Sequence, residues 1–324
     1  MTEAAEIAHE SGLQHYPVSF FAVSMGLAGL TLALHAGEAA RGWSGQLSGI
    51  AGVATVLVFA AIALGYLAKA MLYPQAVRAE WHHPVRLAFF PAISISLLLI
   101  AAVAVGRDMA IAPVIWMLGA AGQFVLTLAV VSGWIGTRAF QQGALNPAWF
   151  IPAVGNVIAP LAGVPLGFVE LSWYFFSVGV LFWIVLLTLV MNRMIFHDPL
   201  PGRLQPTLVI LIAPPAVAFV AWLRLTGEVD AFARILVNGA WFFALVVATQ
   251  VPKLMRLPFA LSFWALSFPL AALTVATLTY GARIGSTAHE AAGLVLLGLL
   301  VLVIAGLVLR TLRAMSRGEI CVPE

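Results

Sequence analysis

The chain has 324 residues, 62% of them hydrophobic and 9% charged, with a mean hydropathy of +1.03 and a formal net charge of +3. Such a chain cannot hide its apolar side chains in a water-soluble core and still present a polar exterior, which predicts an all-α polytopic membrane protein. No room is left beside the spans for a soluble catalytic or regulatory domain, and nothing implies nucleic acid.

A helix needs about 20 mostly apolar residues to cross about 30 Å of hydrocarbon. Ten such runs are predicted, at 16–36, 48–73, 85–105, 110–135, 147–166, 171–196, 206–225, 231–252, 259–281 and 289–313. They form one membrane domain, 16–313, between short tails at 1–15 and 314–324. A proline stands near the start of every odd run, at Pro17, Pro84, Pro147, Pro206 and Pro258. This recurrence marks a repeated unit, a pair of helices, so that ten helices form five hairpins.

The odd runs also carry Pro91, Pro152, Pro160, Pro214, Pro215 and Pro269, whereas Pro113 and Pro252 are mild exceptions in even runs. Interior proline removes a backbone hydrogen bond, and at membrane depth it persists only where the freed carbonyl meets protein or water. The odd helices are therefore expected as an inner ring around a pore, kinked at Pro91, Pro152, Pro214 and Pro269, inside an outer ring of even helices. Kinks that serve packing alone are the other reading.

Of the 16 Lys and Arg, all but Arg41, Arg107, Arg224, Arg234 and Arg283 fall in loops on the side of the termini, Arg138 among them. That bias places both termini in the cytoplasm. Residues 1–15 hold Glu3, Glu6 and Glu10 without Lys or Arg, so no cleavable signal peptide is expected.

Enzymatic chemistry is not expected. Cys321 is alone, and His9, His15, His35, His82, His83, His197 and His289 lie near span ends without the spacing of a metal or haem site, which predicts no metal and no cofactor. Charges in or beside the spans, Arg86, Glu170, Arg224, Arg234 and Glu290, sit close to the interface. The centres hold neutral polar groups: Ser94, Ser96, Gln123, Thr127, Asn156, Asn238, Thr274 and Thr277. No buried carboxylate or histidine offers itself for proton coupling, which favours passive conduction, although a substrate can carry its own proton.

A pore lined by such groups, Asn156 among them, together with aromatics, has no acidic ring to concentrate cations. The basic loops raise the local anion concentration, so anions are the expected permeant. The ninth run reads Ser262-Phe263-Trp264-Ala265-Leu266-Ser267-Phe268-Pro269. Phe268 precedes a proline, which biases its backbone away from the α region; its ring either plugs the pore or is an ordinary packed aromatic. Gly119, Gly122, Gly293, Gly298 and Gly306 are expected to let helices pack closely.

Five stretches carry a family resemblance over essentially the whole chain: Val77-Arg78-Ala79-Glu80-Trp81-His82-His83-Pro84-Val85-Arg86, Asn146 through Asn156, Ala213-Pro214-Pro215, Gly227-Glu228-Val229-Asp230, and Trp264 through Pro269. They resemble the tellurite-resistance/dicarboxylate transporter family, bacterial TehA branch, which also contains the guard-cell slow anion channels of plants and fungal malate and sulfite transporters. The resemblance implies a homotrimer in a bacterial inner (plasma) membrane, with a pore in each subunit that passes chloride or nitrate. It implies that Phe268 is the pore-occluding gate, with Phe20, Phe90 and Phe150 as neighbours. A secondary transporter of C4-dicarboxylates such as malate, of sulfite or of tellurium oxyanions is the alternative. The plant channels carry long phosphorylated termini, for which residues 1–15 and 314–324 are too short.

Overall fold

The computed structural model describes residues 12–136, 140 and 142–322. Most of the amino-terminal tail, with Glu3, Glu6, His9 and Glu10, lies outside the described residues, as does Arg138. Among the described residues nine helices are long and apolar enough to cross a membrane. The first four spans are Val18–Arg41, Gln46–Leu72, Arg86–Val105 and Ala112–Ile135. The sixth to tenth are Val169–Phe196, Gly202–Thr226, Ala231–Ala248, Leu261–Ile284 and Thr287–Ser316. The chain is a multi-pass membrane protein.

The fifth segment, Pro147–Gly163, corrects the expectation of a continuous helix over 147–166. Its prolines divide it into a 3-10 turn at Pro147–Trp149, α-helix at Phe150–Val154, a second 3-10 turn at Gly155–Ile158 and a last α turn at Pro160–Gly163. It and the residues that follow it pack along the fourth span. Trp149 stacks on Trp134 near one end of the fourth span (4.8 Å between ring centroids), and Phe168 stacks on Trp116 near the other (4.6 Å).

A broken helix survives at this depth because its neighbours satisfy it. The Pro152 carbonyl accepts from Gln123 Nε2 (3.0 Å) and Thr127 Oγ1 (2.9 Å), and the Asn156 amide reaches Thr127 Oγ1 at 3.0 Å and the Ala153 carbonyl. Gln123 Oε1 in turn accepts from Ser94 Oγ at 2.8 Å, tying in the third span. Thr127→Val keeps the shape but removes a donor and an acceptor from this buried network. It is expected to lower stability by about 1–3 kcal/mol, read as a fall in thermal midpoint in detergent; an unchanged midpoint would mean that the carbonyl has adequate partners without it.

Packing closes the odd segments into a ring. The first touches the third, the third the fifth, the fifth the seventh and the seventh the ninth, which returns to the first, while each even span packs on its odd partner as a hairpin. In the long odd spans 61–72% of the apolar window is buried, against 22–33% in the even spans, so the odd helices are the inner ring and the even ones face lipid. Small residues permit the approaches. A Cβ at Gly119 would meet the Leu98 backbone nitrogen at 3.0 Å, one at Gly122 would meet Ser94 Cβ at 3.2 Å, and one at Gly293 would meet Leu278 at 2.6 Å. Gly298 and Gly306 depart from the expectation: neither would meet a neighbour within 4 Å.

The first span runs on to Arg41, beyond the expected end at 36, because charge at its end is put to use. Glu38, 4% exposed, accepts from the backbone nitrogens of Leu47 (2.8 Å) and Ser48 (3.2 Å), capping the start of the second span, and the chain turns at Gly42 with φ 66°. A carboxylate suits this place because the first amides of a helix lack intrahelical partners.

At the end of the bundle that carries the termini, a short helix at Pro74–His82 was not anticipated. It brings Glu80 to Lys69 of the second span, Nζ to Oε2 2.9 Å, with both side chains almost wholly buried. Lys69 is thus no simple loop cation. It also donates to the Tyr16 carbonyl (2.8 Å), while Glu80 accepts from Tyr66 Oη (2.9 Å) and the Val18 amide (3.3 Å), so one ion pair anchors the entry to the first span. Burial, with a smaller contribution from Cys321, pushes the Tyr16 phenol up to about 12, and burial raises the Cys321 thiol as well.

Candidate pore

Four odd spans enter the bundle in 3-10 geometry and continue as α-helix: Val18–Phe20 leads into Phe21, Arg86–Phe89 into Ala92, Gly202–Ile212 into Ala213, and Leu261–Leu266 into Ser267. Prolines stand at three of these changes. Pro91 immediately precedes its α segment, Pro214 is the second residue of its own, and Pro269 is the third residue of the helix Ser267–Ile284. A proline in the first turn clashes with no helical carbonyl four residues earlier, so it is accommodated where the helix type changes. For the same reason Phe268 sits inside an α-helix despite preceding a proline, against the expectation of a bend at that residue.

The five junctions meet around one cavity of about 70 Å³, space for a few water molecules. The first span contributes Ala22 and Met25, the third Phe89 and Ile95, and the fifth segment Phe150, Ile151 and Val154. Ile210, Ala213, Pro214 and Val217 come from the seventh, and Trp264, Phe268 and Pro269 from the ninth. Among the described residues no charged side chain lines it, and the wall is almost entirely hydrocarbon.

Of the residues singled out in the sequence, Phe268, Phe150, Pro214 and Pro269 come together at this wall. Phe20, Phe90, Asn156, Pro91 and Pro152 do not line it. Phe20 stacks on Tyr16 (4.7 Å), and Phe90 turns outward to meet Trp81 edge-on (5.0 Å) and Tyr66 (6.3 Å). Asn156 and Pro152 belong to the network that satisfies the fifth segment. The polar lining expected from Ser, Thr and Asn is absent from the wall because these groups are consumed locally. Ser96, Thr274 and Thr277 donate to the carbonyls of Ala92, Leu270 and Leu273 on their own helices, and Asn238 is exposed and bonds the Arg234 carbonyl.

Phe268 is positioned by the absence of side chains opposite it. A Cβ on Gly29 would come within 3.3 Å of the Phe268 ring and 2.8 Å of Ala271 Cβ, and one on Gly26 would fall 2.2 Å from Ser267 Oγ. Ser267 Oγ bonds the Trp264 carbonyl (2.6 Å), and Trp264 Nε1 bonds Thr311 Oγ1 of the tenth span (2.9 Å), which leaves the ninth span little freedom to retreat. Gly26→Ala is therefore expected to cost about 1–3 kcal/mol through overpacking, measured as a lower thermal midpoint; a midpoint equal to that of the native chain would show this contact to be loose.

Residues 15–312 match the sequence pattern of a family described as voltage-dependent anion channel. The chain belongs to this family. The S-type anion channel SLAH3 of Arabidopsis thaliana is 30% identical over 311 residues, covering 93% of this chain and 48% of the relative. The S-type anion channel SLAH2 of the same plant is 29% identical over 259 residues, 78% of this chain and 50% of that protein, so the chain spans about half the length of these plant relatives. The tellurite resistance protein TehA homolog of Haemophilus influenzae is 29% identical over 260 residues, 79% of either chain. Membership in the voltage-dependent anion channel family agrees with the resemblance read from the motifs.

Proposed function

We propose that the protein is an anion-selective channel passing small monovalent anions such as chloride and nitrate, with a pore in each subunit held shut by Phe268. The observation that carries this reading is the apolar cavity where all five inner segments meet, with Phe268 in its wall. A small cavity walled by hydrocarbon resists wetting, and an anion stripped of water would pay its full desolvation penalty there, which is how a gate at this place would hold the pathway shut. With no charged group in the wall, discrimination follows dehydration, and larger, weakly hydrated anions pass more readily. The relatives' names as S-type anion channels support the same assignment. The setting proposed is a homotrimer in a bacterial inner membrane with both termini cytoplasmic, residues 16–313 forming the channel unit between short tails.

The alternative, a carrier of malate, sulfite or tellurium oxyanions, is separated by flux. Currents across a planar bilayer under opposed chloride, nitrate and malate gradients are expected to reverse at potentials set by the anions and independent of pH. Silence in the bilayer together with saturable, pH-dependent malate or sulfite uptake into liposomes would replace the channel by the carrier.

A further inference from the structure

At the terminal end of the sixth span lies a second cavity, of about 350 Å³, lined by Gly143, Arg193, Phe196, His197 and Asp198. Arg193 continues the inward face that carries Leu186 and Val190, and it is 5% exposed. Its Nη1 donates to the Asp198 backbone carbonyl, but its buried Nε has no partner, and no carboxylate among the described residues pairs with the guanidinium. A topological role for Arg193 needs only a charge near the interface. It does not explain a guanidinium taken out of water with no carboxylate in ion-pair contact, Asp198 in the same wall meeting it through the backbone carbonyl rather than the side chain, an arrangement that an anion in the cavity would improve.

We propose that this cavity binds a phosphate group, presented by a lipid headgroup or as a free anion. Arg193 lines the cavity, a guanidinium is the side chain that best matches a pair of phosphate oxygens, and the exposed His197 stands at the rim. Phe196 (73% exposed) and Ile195 (63% exposed) project from the same turn on the lipid-facing surface, so a headgroup could enter with its chains alongside them. The space far exceeds a monatomic anion. The site lies in a hairpin outside the pore wall and does not depend on the gating proposal.

The test is thermal unfolding of the purified full chain, followed by tryptophan fluorescence, during titration with short-chain phosphatidylglycerol, with sodium phosphate, or with sodium chloride at matched ionic strength. A ligand that binds only the folded form raises the midpoint. Phosphatidylglycerol or phosphate is expected to raise it, with apparent affinity about tenfold weaker in Arg193→Gln. The lipid arm identifies a headgroup site and the phosphate arm a free-anion site. His197→Asp, a substitution at an exposed position, is expected to weaken the same ligand through like charge and keeps the test decisive if Arg193→Gln does not fold. Equal shifts with chloride, or shifts unaltered by the variants that fold, overturn the proposal.

Discussion

Phe268→Ala is expected to raise anion conductance by about 100–1,000-fold, the rise that corresponds to removing a barrier of about 3–4 kcal/mol. The substitution deletes the ring that borders the cavity on the ninth span and leaves Ala22, Ile95 and Pro214 in place around wider, wettable space. Folding should survive, because Phe268 is only partly buried and already borders open space; its truncation should fall below the about 3–5 kcal/mol seen for fully packed phenylalanine. The measurement is macroscopic current in bilayers at equal protein density, with the thermal midpoint recorded in parallel. A folded Phe268→Ala protein as silent as the native one would remove Phe268 from the gate, and Phe150→Ala, on the opposing fifth segment, would be the next variant in which to seek the current.

The largest effect on stability is expected at Lys69 and Glu80. Lys69→Met leaves a buried carboxylate and Glu80→Gln leaves a buried ammonium, each at an expected loss of about 3–5 kcal/mol, whereas Lys69→Met combined with Glu80→Gln should recover most of the loss because no charge is stranded. The pair also holds the Tyr16 carbonyl and the Val18 amide, so the single variants should loosen the start of the first span, which unfolding in detergent combined with hydrogen exchange at Val18 would register. Additive losses in the double variant would show that the two side chains act independently and that the 2.9 Å contact contributes little.

Much of the architecture was written in composition and in spacing. Length and hydropathy required membrane spans, and prolines in alternate runs identified which helices lie inside, because only a neighbour's donor can satisfy the carbonyls left by a broken helix in lipid. The first span's extension to Arg41 and the helix Pro74–His82 escaped that reading. Both depend on polar groups, Glu38 and Glu80, that leave water only because distant partners meet them, although Pro74 at the first helical position was a local start signal.

At the pore the division is sharper. Phe89 and Phe90 are adjacent, and a helical wheel drawn at 100° per residue cannot say which one faces the axis once the segment winds as a 3-10 helix at 120°. Side-chain hydroxyls that looked like pore lining bond their own helices, a choice decided by rotamer and by the nearest carbonyl. The amino-acid sequence by itself determined the solvent, the hairpin repeat, the inner and outer rings and the phenylalanine-proline step of the ninth span, since these follow from hydrophobicity and from backbone chemistry along the chain. Only the tertiary structure decided that the wall of the central cavity is hydrocarbon, that Gly29 makes room for Phe268, and that Lys69 and Arg193 are buried, one matched and one not. Those facts depend on which groups, far apart in sequence, come within a few ångströms when the ring closes.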